Sequence, residues 1–166
     1  KLRRAKNKKG LTPVWENSNW EIYVPQSWED DVALGKGTKW CTAVYSDGGK
    51  EMYDRYTSQE YYGKNTKLYV IINKHDKADK CHFESNQFKD RKDKGIDLQE
   101  FLDDPSAKGM REFFASEYRV PCMTTERIIE LIKSGEVKKT GISLYRTDLR
   151  GANLEGANLE GADLYG

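Results

Sequence analysis

Three side chains of this sequence have the types and the order of a thiol catalytic site. Cys41 stands in the stretch "GKGTKWCTA" (35–43), His82 follows in "KCHFES" (80–85), and Asp90 ends "QFKD" (87–90). A cysteine nucleophile needs a base that takes its proton and a group that orients the base. One possible chemistry is therefore that of a hydrolase or transferase, with Cys41 as nucleophile, His82 as base and Asp90 as the orienting residue.

The order of these residues resembles that of papain-like and transglutaminase-like folds. In those folds the cysteine starts a helix, the histidine lies on a later strand, and the acid lies on the next strand. The resemblance implies that His82 and Asp90 share one sheet face, and that a helix start near Cys41 lowers the pKa of its thiol. Two observations oppose it. The segment "TAVYSDGG" (42–49) is a poor helix former, and a cysteine beside a tryptophan is more often a small buried apolar residue.

The same stretch could instead build a binding surface. A tight glycine turn would deliver Trp40 and Cys41 into the core or into a pocket wall, with two lysines flanking an anionic ligand. A nucleotide-binding loop is rejected, because the first glycine of G-x-x-x-x-G-K-[ST] is missing and Gly37 separates Lys36 from Thr38. The predicted binding residues are Lys36, Thr38, Lys39, Trp40, Tyr53 and Tyr56.

A metal site and a cofactor are not expected. The candidate ligands contain no C-x-x-C pair and no two histidines at helical spacing, and Cys81 and His82 are neighbours that point to opposite faces of a strand. Three widely spaced cysteines do not form a disulfide framework, which favours a reducing, cytoplasmic location. The candidate ligands considered are Cys41, His75, Cys81, His82 and Cys122.

Hydrophobic periodicity predicts the elements that would position these residues. Residues 20–24 alternate as a half-buried strand, and "SWEDDVALG" (27–35) has the capping serine and first-turn acids of a helix. A second helix is predicted over 49–58. The segment "KLYVIIN" (67–73) is apolar on both faces and should be a central strand, and residues 80–84 and 87–90 complete an antiparallel meander. Helical patterns follow from 97 to 117 and again over 124–137.

The C-terminal tail repeats every five residues. Leucine recurs at this interval from Leu144 to Leu164, and Ala152, Ala157 and Ala162 each stand two places before a leucine. The pattern matches the A-[DN]-L-x-x signature of pentapeptide-repeat proteins, and the tail is identified as a member of that family. The resemblance implies the start of a right-handed quadrilateral β-helix. Since five units make little more than one turn, we expect the natural chain to continue past Gly166 or the tail to stack on a partner.

Some pentapeptide-repeat proteins present a protein-interaction surface or mimic DNA. Here the outward charges are mixed, which weakens the comparison with DNA and favours a structural spacer. These charged residues are Arg146, Arg150, Glu155 and Glu160.

The body of the chain resembles a module of unassigned function in tailed-phage proteins. The shared strings are "GTKWCTA", "LYVI", and the "HFE" and "QFKD" segments, over roughly residues 15–95. The resemblance implies a phage or prophage origin and brings no activity with it.

Composition limits the remaining possibilities. The 166 residues carry a formal net charge of +1, and no run approaches the roughly 18 apolar residues of a transmembrane helix. A basic N-terminal segment could contact nucleic acid, although the near-neutral chain as a whole does not favour it. The basic residues of this segment are Lys1, Arg3, Arg4, Lys6, Lys8 and Lys9.

These observations predict an α+β protein in which a small antiparallel sheet is packed by helices and followed by a pentapeptide β-helix. The expected divisions are a basic segment 1–12, an α+β core 13–96, a helical segment 97–140 and repeats 141–166. The favoured function is a phage-encoded cytoplasmic module that binds a host or defence protein. The alternatives are the Cys41 enzyme and a nucleic-acid binder, and no membrane association is expected.

Overall fold

A five-stranded antiparallel sheet forms the centre of the molecule. The computed structural model describes residues 11–58, 67–84, 87–117, 122–137, 144, 149–157 and 159. Each strand pairs with its neighbours in sequence, in the order β1-β2-β3-β4-β5. The predicted antiparallel meander is therefore confirmed. The strands are β1 (Trp15–Glu16), β2 (Trp20–Tyr23), β3 (Tyr69–Asn73), β4 (Lys80–Glu84) and β5 (Gln87–Asp90).

Short helices pack around the sheet, and most begin where the sequence offers a capping side chain. Ser27 accepts a hydrogen bond from the N–H group of Asp30, as its position predicts. Thr124, one of two threonines that could cap the last helix, accepts from the N–H group of Arg127. The helices are α1 (Trp28–Leu34), α2 (Asp47–Thr57), α3 (Leu98–Asp103), α4 (Met110–Ser116) and α5 (Thr125–Lys133), with single 3-10 turns at Cys41–Ala43 and Pro105–Ala107.

The two faces of the sheet differ because successive side chains of a strand point in opposite directions. On β4, Cys81 and Phe83 join one core, which we call the apolar face, and α3 and α4 cover it. His82 and Glu84 of the same strand point to the other side, the mixed face, whose apolar part includes Val70. That face is covered by Leu34 of α1 and by the Trp40–Ala43 segment. The remaining sheet residues of the apolar face are Trp20, Ile22, Tyr69, Ile71 and Phe88.

Strand β3 has the central place that its sequence predicts. Its residues Tyr69 and Ile71 are buried on the apolar face, and Val70 and Ile72 are buried on the mixed face. A strand that is covered on both sides needs apolar residues at successive positions, and this one has them.

A separate small core forms near the C-terminus. Ile128, Leu131 and Ile132 of α5 pack with Val137 and Leu144, and leucines of the repeat tail are partly buried against them. Helices α3 and α4, in contrast, belong to the core of the sheet. The segment 97–140, which the sequence treats as one helical connection, thus contributes to two cores.

Two further predictions concern surfaces. The basic residues Lys1 to Lys9 lie outside the described residues. Within the part of the chain that the structure describes, no helix is both long and apolar enough to span a membrane.

Candidate functional site

Glycines shape the turn that carries Trp40 and Cys41. Gly35 ends α1, and a β-carbon there would lie 2.4 Å from the Cβ of Ala43, so only glycine allows this close approach. Gly37 has a φ of 86°, a left-handed conformation that glycine adopts without strain. The ammonium of Lys80 donates to the carbonyl oxygens of Leu34 and Lys36, at 2.6 and 3.0 Å. The "GKG" turn is thus fastened to β4.

Trp40 is a buried structural residue of this turn. It has no exposed surface, and its indole Nε1 donates a 2.7 Å hydrogen bond to the carbonyl oxygen of Asp90. Its ring lies parallel to the imidazole of His82, with ring centroids 4.4 Å apart and an interplanar angle of 8°. Trp40 therefore covers one side of His82 and links the turn to the end of β5.

His82 is fully buried beneath Trp40. Burial lowers the pKa of its imidazole to about 3, and the positive charge of Lys89 contributes in the same direction. The ring is therefore neutral at physiological pH. Neither ring nitrogen has a hydrogen-bond partner among the described residues, although Nε2 lies 3.8 Å from Oδ1 of Asp93.

Asp90 does not share the face of His82, which corrects the expectation drawn from the papain-like order. In the register of β4 and β5, His82 pairs with Lys89 and Asp90 pairs with Cys81. The Asp90 carboxylate accepts hydrogen bonds from the N–H groups of Lys92 and Lys94, at 2.7 and 3.0 Å. These backbone hydrogen bonds lower the pKa of Asp90. Asp90 shapes the turn, and Asp93 is the carboxylate near the imidazole.

Cys41 begins the 3-10 turn and is half-buried. Burial raises the pKa of its thiol, the charges of Glu84 and Asp93 raise it further, and Lys89 acts in the opposite direction. The sequence predicted a lowered value from a helix start. A three-residue turn supplies little dipole, and the neighbouring carboxylates disfavour a thiolate.

Three buried polar residues, one inside the motif and two outside it, were not predicted from the sequence: Thr42, Asp31 and Glu84, none of which has exposed surface. Burial raises the pKa of Asp31 to about 6, with the Thr42 hydroxyl opposing it. Burial also raises the pKa of Glu84 to about 7, against the lowering effect of Lys89. One signal could have found Glu84, since alternation along β4 places it on the side of His82.

Lys89 lies at the edge of this group. Its ammonium is 3.2 Å from Oδ1 of Asp93 and 3.7 Å from Oε1 of Glu84. The first is an ordinary ion pair, and the second is longer than a hydrogen bond. Lys89 therefore compensates the buried carboxylates only in part.

The six predicted binding residues do not form one surface. Lys36 and Lys39 are exposed, while the Thr38 hydroxyl donates to the carbonyl oxygen of Gly35 at 2.6 Å. Tyr53 is buried, and its hydroxyl donates to the carbonyl oxygen of Pro25. Trp40 is buried as described above. Burial lowers the pKa of the Lys89 ammonium, but the hydrogen bond to Asp93 and the charges of Glu84 and Asp93 raise it more, and the half-buried Tyr56 makes the smallest contribution in the same upward direction.

An exposed aromatic surface adjoins the motif. Tyr45 and Trp28 are stacked, with ring centroids 4.9 Å apart and an interplanar angle of 19°. Tyr45 is 54 % exposed and Val44 is 48 % exposed. We call Trp28, Val44 and Tyr45 the aromatic platform. It was not predicted, because the sequence does not reveal which aromatic residues remain outside the core.

Metal chemistry finds no support in the described ranges, where no three or more His, Cys, Asp and Glu side chains form a group that could hold an ion. All three cysteines are free thiols, and Cys81 and Cys122 are buried on the apolar face.

The described part of the tail repeats its backbone geometry every five residues. Gly151 and Gly156 both have a φ of 74°, and the N–H groups of Ala152 and Ala157 donate to the carbonyl oxygens of Leu149 and Leu154, three residues earlier. The alanines and leucines are partly buried, whereas Arg150 and Glu155 are exposed. This agrees with the inward and outward positions that the sequence predicts.

The comparisons with known proteins give a match for the C-terminal segment. No curated protein and no solved structure matches the chain. A family model described as "Pentapeptide repeats (8 copies)" matches residues 140–166, so the C-terminal segment is similar to that family, as the sequence pattern predicts.

Proposed function

We propose that the chain is a protein-binding module whose body carries the aromatic platform and whose tail carries the pentapeptide repeats. The observation that supports this most is that Trp40 of "GKGTKWCTA" is buried, whereas the two residues that directly follow this stretch are exposed. Trp40 serves the interior of the fold. Val44 and Tyr45, which follow the 3-10 turn, are turned to solvent.

The platform has the properties of a contact surface for another protein. Exposed aromatic residues are frequent energetic centres of interfaces, and Trp and Tyr contribute most often. Trp28 and Tyr45 are already stacked on each other, so little side-chain freedom would be lost on binding.

For the tail we propose the start of a right-handed quadrilateral β-helix that extends or presents the body. Repeat coils need a cover over their first turn. The apolar stripe of α5, with Ile128, Leu131 and Ile132, packs with Leu144 and with Leu149, and could serve as that cover. Exposed Arg150 and Glu155 have opposite charges, which favours a spacer or a protein contact over DNA mimicry.

The proposal includes a phage origin and a host or defence component in the cytoplasm as the partner. The support for this part is the resemblance of "GTKWCTA" and the strings after it to a tailed-phage module. The free thiols are compatible with a reducing compartment.

A thiol hydrolase or transferase remains the second candidate. One observation favours it: Asp93 lies 3.8 Å from Nε2 of His82, where an orienting carboxylate would be needed. The raised pKa of Cys41 and the complete burial of His82 disfavour it.

Site-specific photocrosslinking in bacterial cells tests the platform. A photoreactive amino acid at position 45 should capture a defined partner, and the same residue at position 14 should not, since Val14 is equally exposed at 51 % but lies outside the platform. With that partner purified, Tyr45→Ala should weaken binding about tenfold or more, and Val14→Ala should leave it unchanged. Equal capture at both positions, or unchanged affinity of the Tyr45→Ala variant, would refute the proposal.

A further inference from the structure

Four fully buried side chains on the mixed face lack the hydrogen bonds that burial normally requires. They are Asp31, Thr42, His82 and Glu84, which we call the polar cluster. Within the described ranges the ring nitrogens of His82 and both carboxylate oxygens of Glu84 have no hydrogen-bond partner. The polar oxygens of Asp31 and Thr42 have only a contact with each other that falls outside ordinary hydrogen-bond geometry. In folded proteins buried polar groups are nearly always paired, because an unpaired group costs about 1–3 kcal/mol. Such groups reach this face of the sheet from α1, from the 3-10 turn and from β4, and the charge of Asp31 acts on Glu84. We take them to indicate an occupant that pairs with them.

The polar cluster consists mainly of acceptors. Asp31 and Glu84 contribute two carboxylate oxygens each, and a neutral His82 keeps one acceptor nitrogen. Lys89 is the nearby cation, and its ammonium remains 3.7 Å from Glu84. An anion would meet two carboxylates here. The complementary occupant donates several hydrogen bonds and carries positive charge.

We infer that the polar cluster is a binding site for a single guanidinium or primary ammonium group. Such a group presents three to five N–H donors within a small volume, and carboxylates are its preferred partners. A metal ion fits less well, because the described residues offer no group of three ligating side chains. The inference goes beyond the proposed function and holds even if the aromatic platform has no protein partner.

Entry is possible along the rim of the site. The partly exposed residues next to the fully buried polar cluster are Cys41, which is half-buried, and Lys89 and Asp93, whose side chains are 19 % and 31 % exposed. Two distances link these residues to the polar cluster: the Lys89 ammonium is 3.7 Å from Oε1 of Glu84, and Oδ1 of Asp93 is 3.8 Å from Nε2 of His82. Lys89 has the same charge as the guest and should compete with it for Glu84.

The surroundings make binding depend on pH. The polar and titratable groups that are linked electrostatically to the site come from α1, the 3-10 turn, α2, β4 and the segment from β5 onward: Asp31, Cys41 and Thr42, Tyr53 and Tyr56, His82 and Glu84, Lys89 and Asp93. A cation binds the ionised carboxylates, whose pKa values are raised to about 6 for Asp31 and about 7 for Glu84. Protons compete with the guest below these values, so the affinity should rise as the pH increases from 6 to 8.

The cation could belong to a basic side chain of a protein partner or to a free small molecule. Trp28 and Asp31 are three positions apart on α1 and share one side of that helix. The platform and the site are therefore neighbours, and a partner resting on the platform could insert an arginine.

The experiment is a titration of the protein with cationic probes, monitored by calorimetry and by the ¹⁵N chemical shifts of the His82 ring. The probes are free arginine, N-acetyl-arginine amide and a short arginine-containing peptide, and tetramethylammonium is the control cation without N–H donors. Saturable binding of the arginine probes, with a shift of the His82 nitrogens and no response to tetramethylammonium, is expected. Tighter binding of the peptide than of the amide would assign the cation to a protein partner, and equal binding would assign it to a small molecule.

Variants locate the binding. Glu84→Gln should weaken it about tenfold or more, since one charge-assisted contact is lost. Glu29→Gln removes an exposed acid of the same helix as Asp31 and should change nothing. Lys89→Met removes the competing ammonium and should tighten binding severalfold, which also serves if Glu84→Gln does not fold. No saturable binding at pH 8, or weaker binding of the Lys89→Met variant, would overturn the inference.

Discussion

The two faces of the sheet differ in the side chains that they bury: one face is apolar, and the other also contains polar and charged groups. The apolar face is closed by aromatic rings: Phe114 contacts the rings of Tyr69 and Phe83, with centroids 5.2 Å apart in both pairs. The mixed face has the same strands but places His82 under Trp40 and buries Glu84 two residues further along β4, and the polar atoms of both side chains have no hydrogen-bond partner within the described residues. Strand β4 serves both, because its side chains alternate.

The two faces of the sheet therefore have different roles: the apolar face stabilises the fold, and the mixed face is the candidate for function. A dry aromatic core contributes favourable burial at every contact. Buried carboxylates and an unprotonated imidazole cost stability unless something binds them. A face that keeps such groups is therefore the better candidate for function, and the apolar face is the part that holds the fold.

The largest expected effect belongs to the apolar face. Phe114→Ala should lower the free energy of unfolding by about 3–5 kcal/mol, because it removes a fully buried ring and leaves a cavity. Urea denaturation measures the change. Val14→Ala, at an exposed position, should change it by less than about 0.5 kcal/mol. A loss below about 1 kcal/mol for Phe114→Ala would mean that this face is not the main core.

On the mixed face, in contrast, a substitution that removes a buried carboxylate should raise the free energy of unfolding at alkaline pH. The pKa of Glu84 is raised from 4.5 to about 7, so the folded state holds its proton more tightly than the unfolded state does. The contribution of Glu84 to stability is then greatest below about pH 4.5 and is lost as the pH rises to about 7. Glutamine does not ionise, so Glu84→Gln abolishes this loss. The free energy of unfolding of the variant minus that of the wild type should therefore be larger at pH 8 than at pH 4, by on the order of 2–3 kcal/mol.

Unfolding curves of the wild type and of the Glu84→Gln variant between pH 4 and pH 8 test this. Glu29→Gln, an exposed acid, should follow the wild type at every pH. A Glu84→Gln variant that loses stability at pH 8 would contradict an uncompensated buried carboxylate.

Trp40 combines buried aromatic packing with a hydrogen bond, and its substitution should change the free energy of unfolding less than the two substitutions above. Trp40→Phe keeps a ring above His82 but removes the 2.7 Å hydrogen bond to the carbonyl oxygen of Asp90. We expect a loss of about 1–2 kcal/mol, from that bond and from the smaller ring. Trp28→Phe, at a half-buried position, is the matched control and should cost less. Equal losses in the two variants would mean that the Trp40 hydrogen bond contributes nothing.

Local patterns in the sequence predicted much of the fold. The apolar run 67–73 predicted the central strand, and alternation in "KCHFES" predicted which residues of β4 share a face. Ser27 was found as a cap from its position before an amphipathic run, and the other cap was narrowed to Thr124 or Thr125, of which the structure has Thr124. These features depend on neighbours in sequence, so they can be seen without the tertiary structure.

The candidate site depends on contacts that the sequence does not contain. Asp90 and Asp93 are three residues apart, and the strand register decides which one approaches His82. Asp31 looked like one of several first-turn acids, and the structure shows that it is the fully buried one, while Asp30 keeps 9 % exposure. Long-range packing of this kind changes both the partner of a group and its pKa.

The central claim is that "GKGTKWCTA" serves structure and recognition, not thiol chemistry. The rate of alkylation of each cysteine against pH, followed by mass spectrometry, tests it most directly. Since the pKa of Cys41 is raised, its alkylation should be slow at pH 6, should increase only at alkaline pH, and should not slow in a His82→Ala variant. The buried Cys81 and Cys122 are internal controls and should react only on unfolding. Fast alkylation of Cys41 near pH 6 that is lost in the His82→Ala variant would contradict the claim and favour the enzyme.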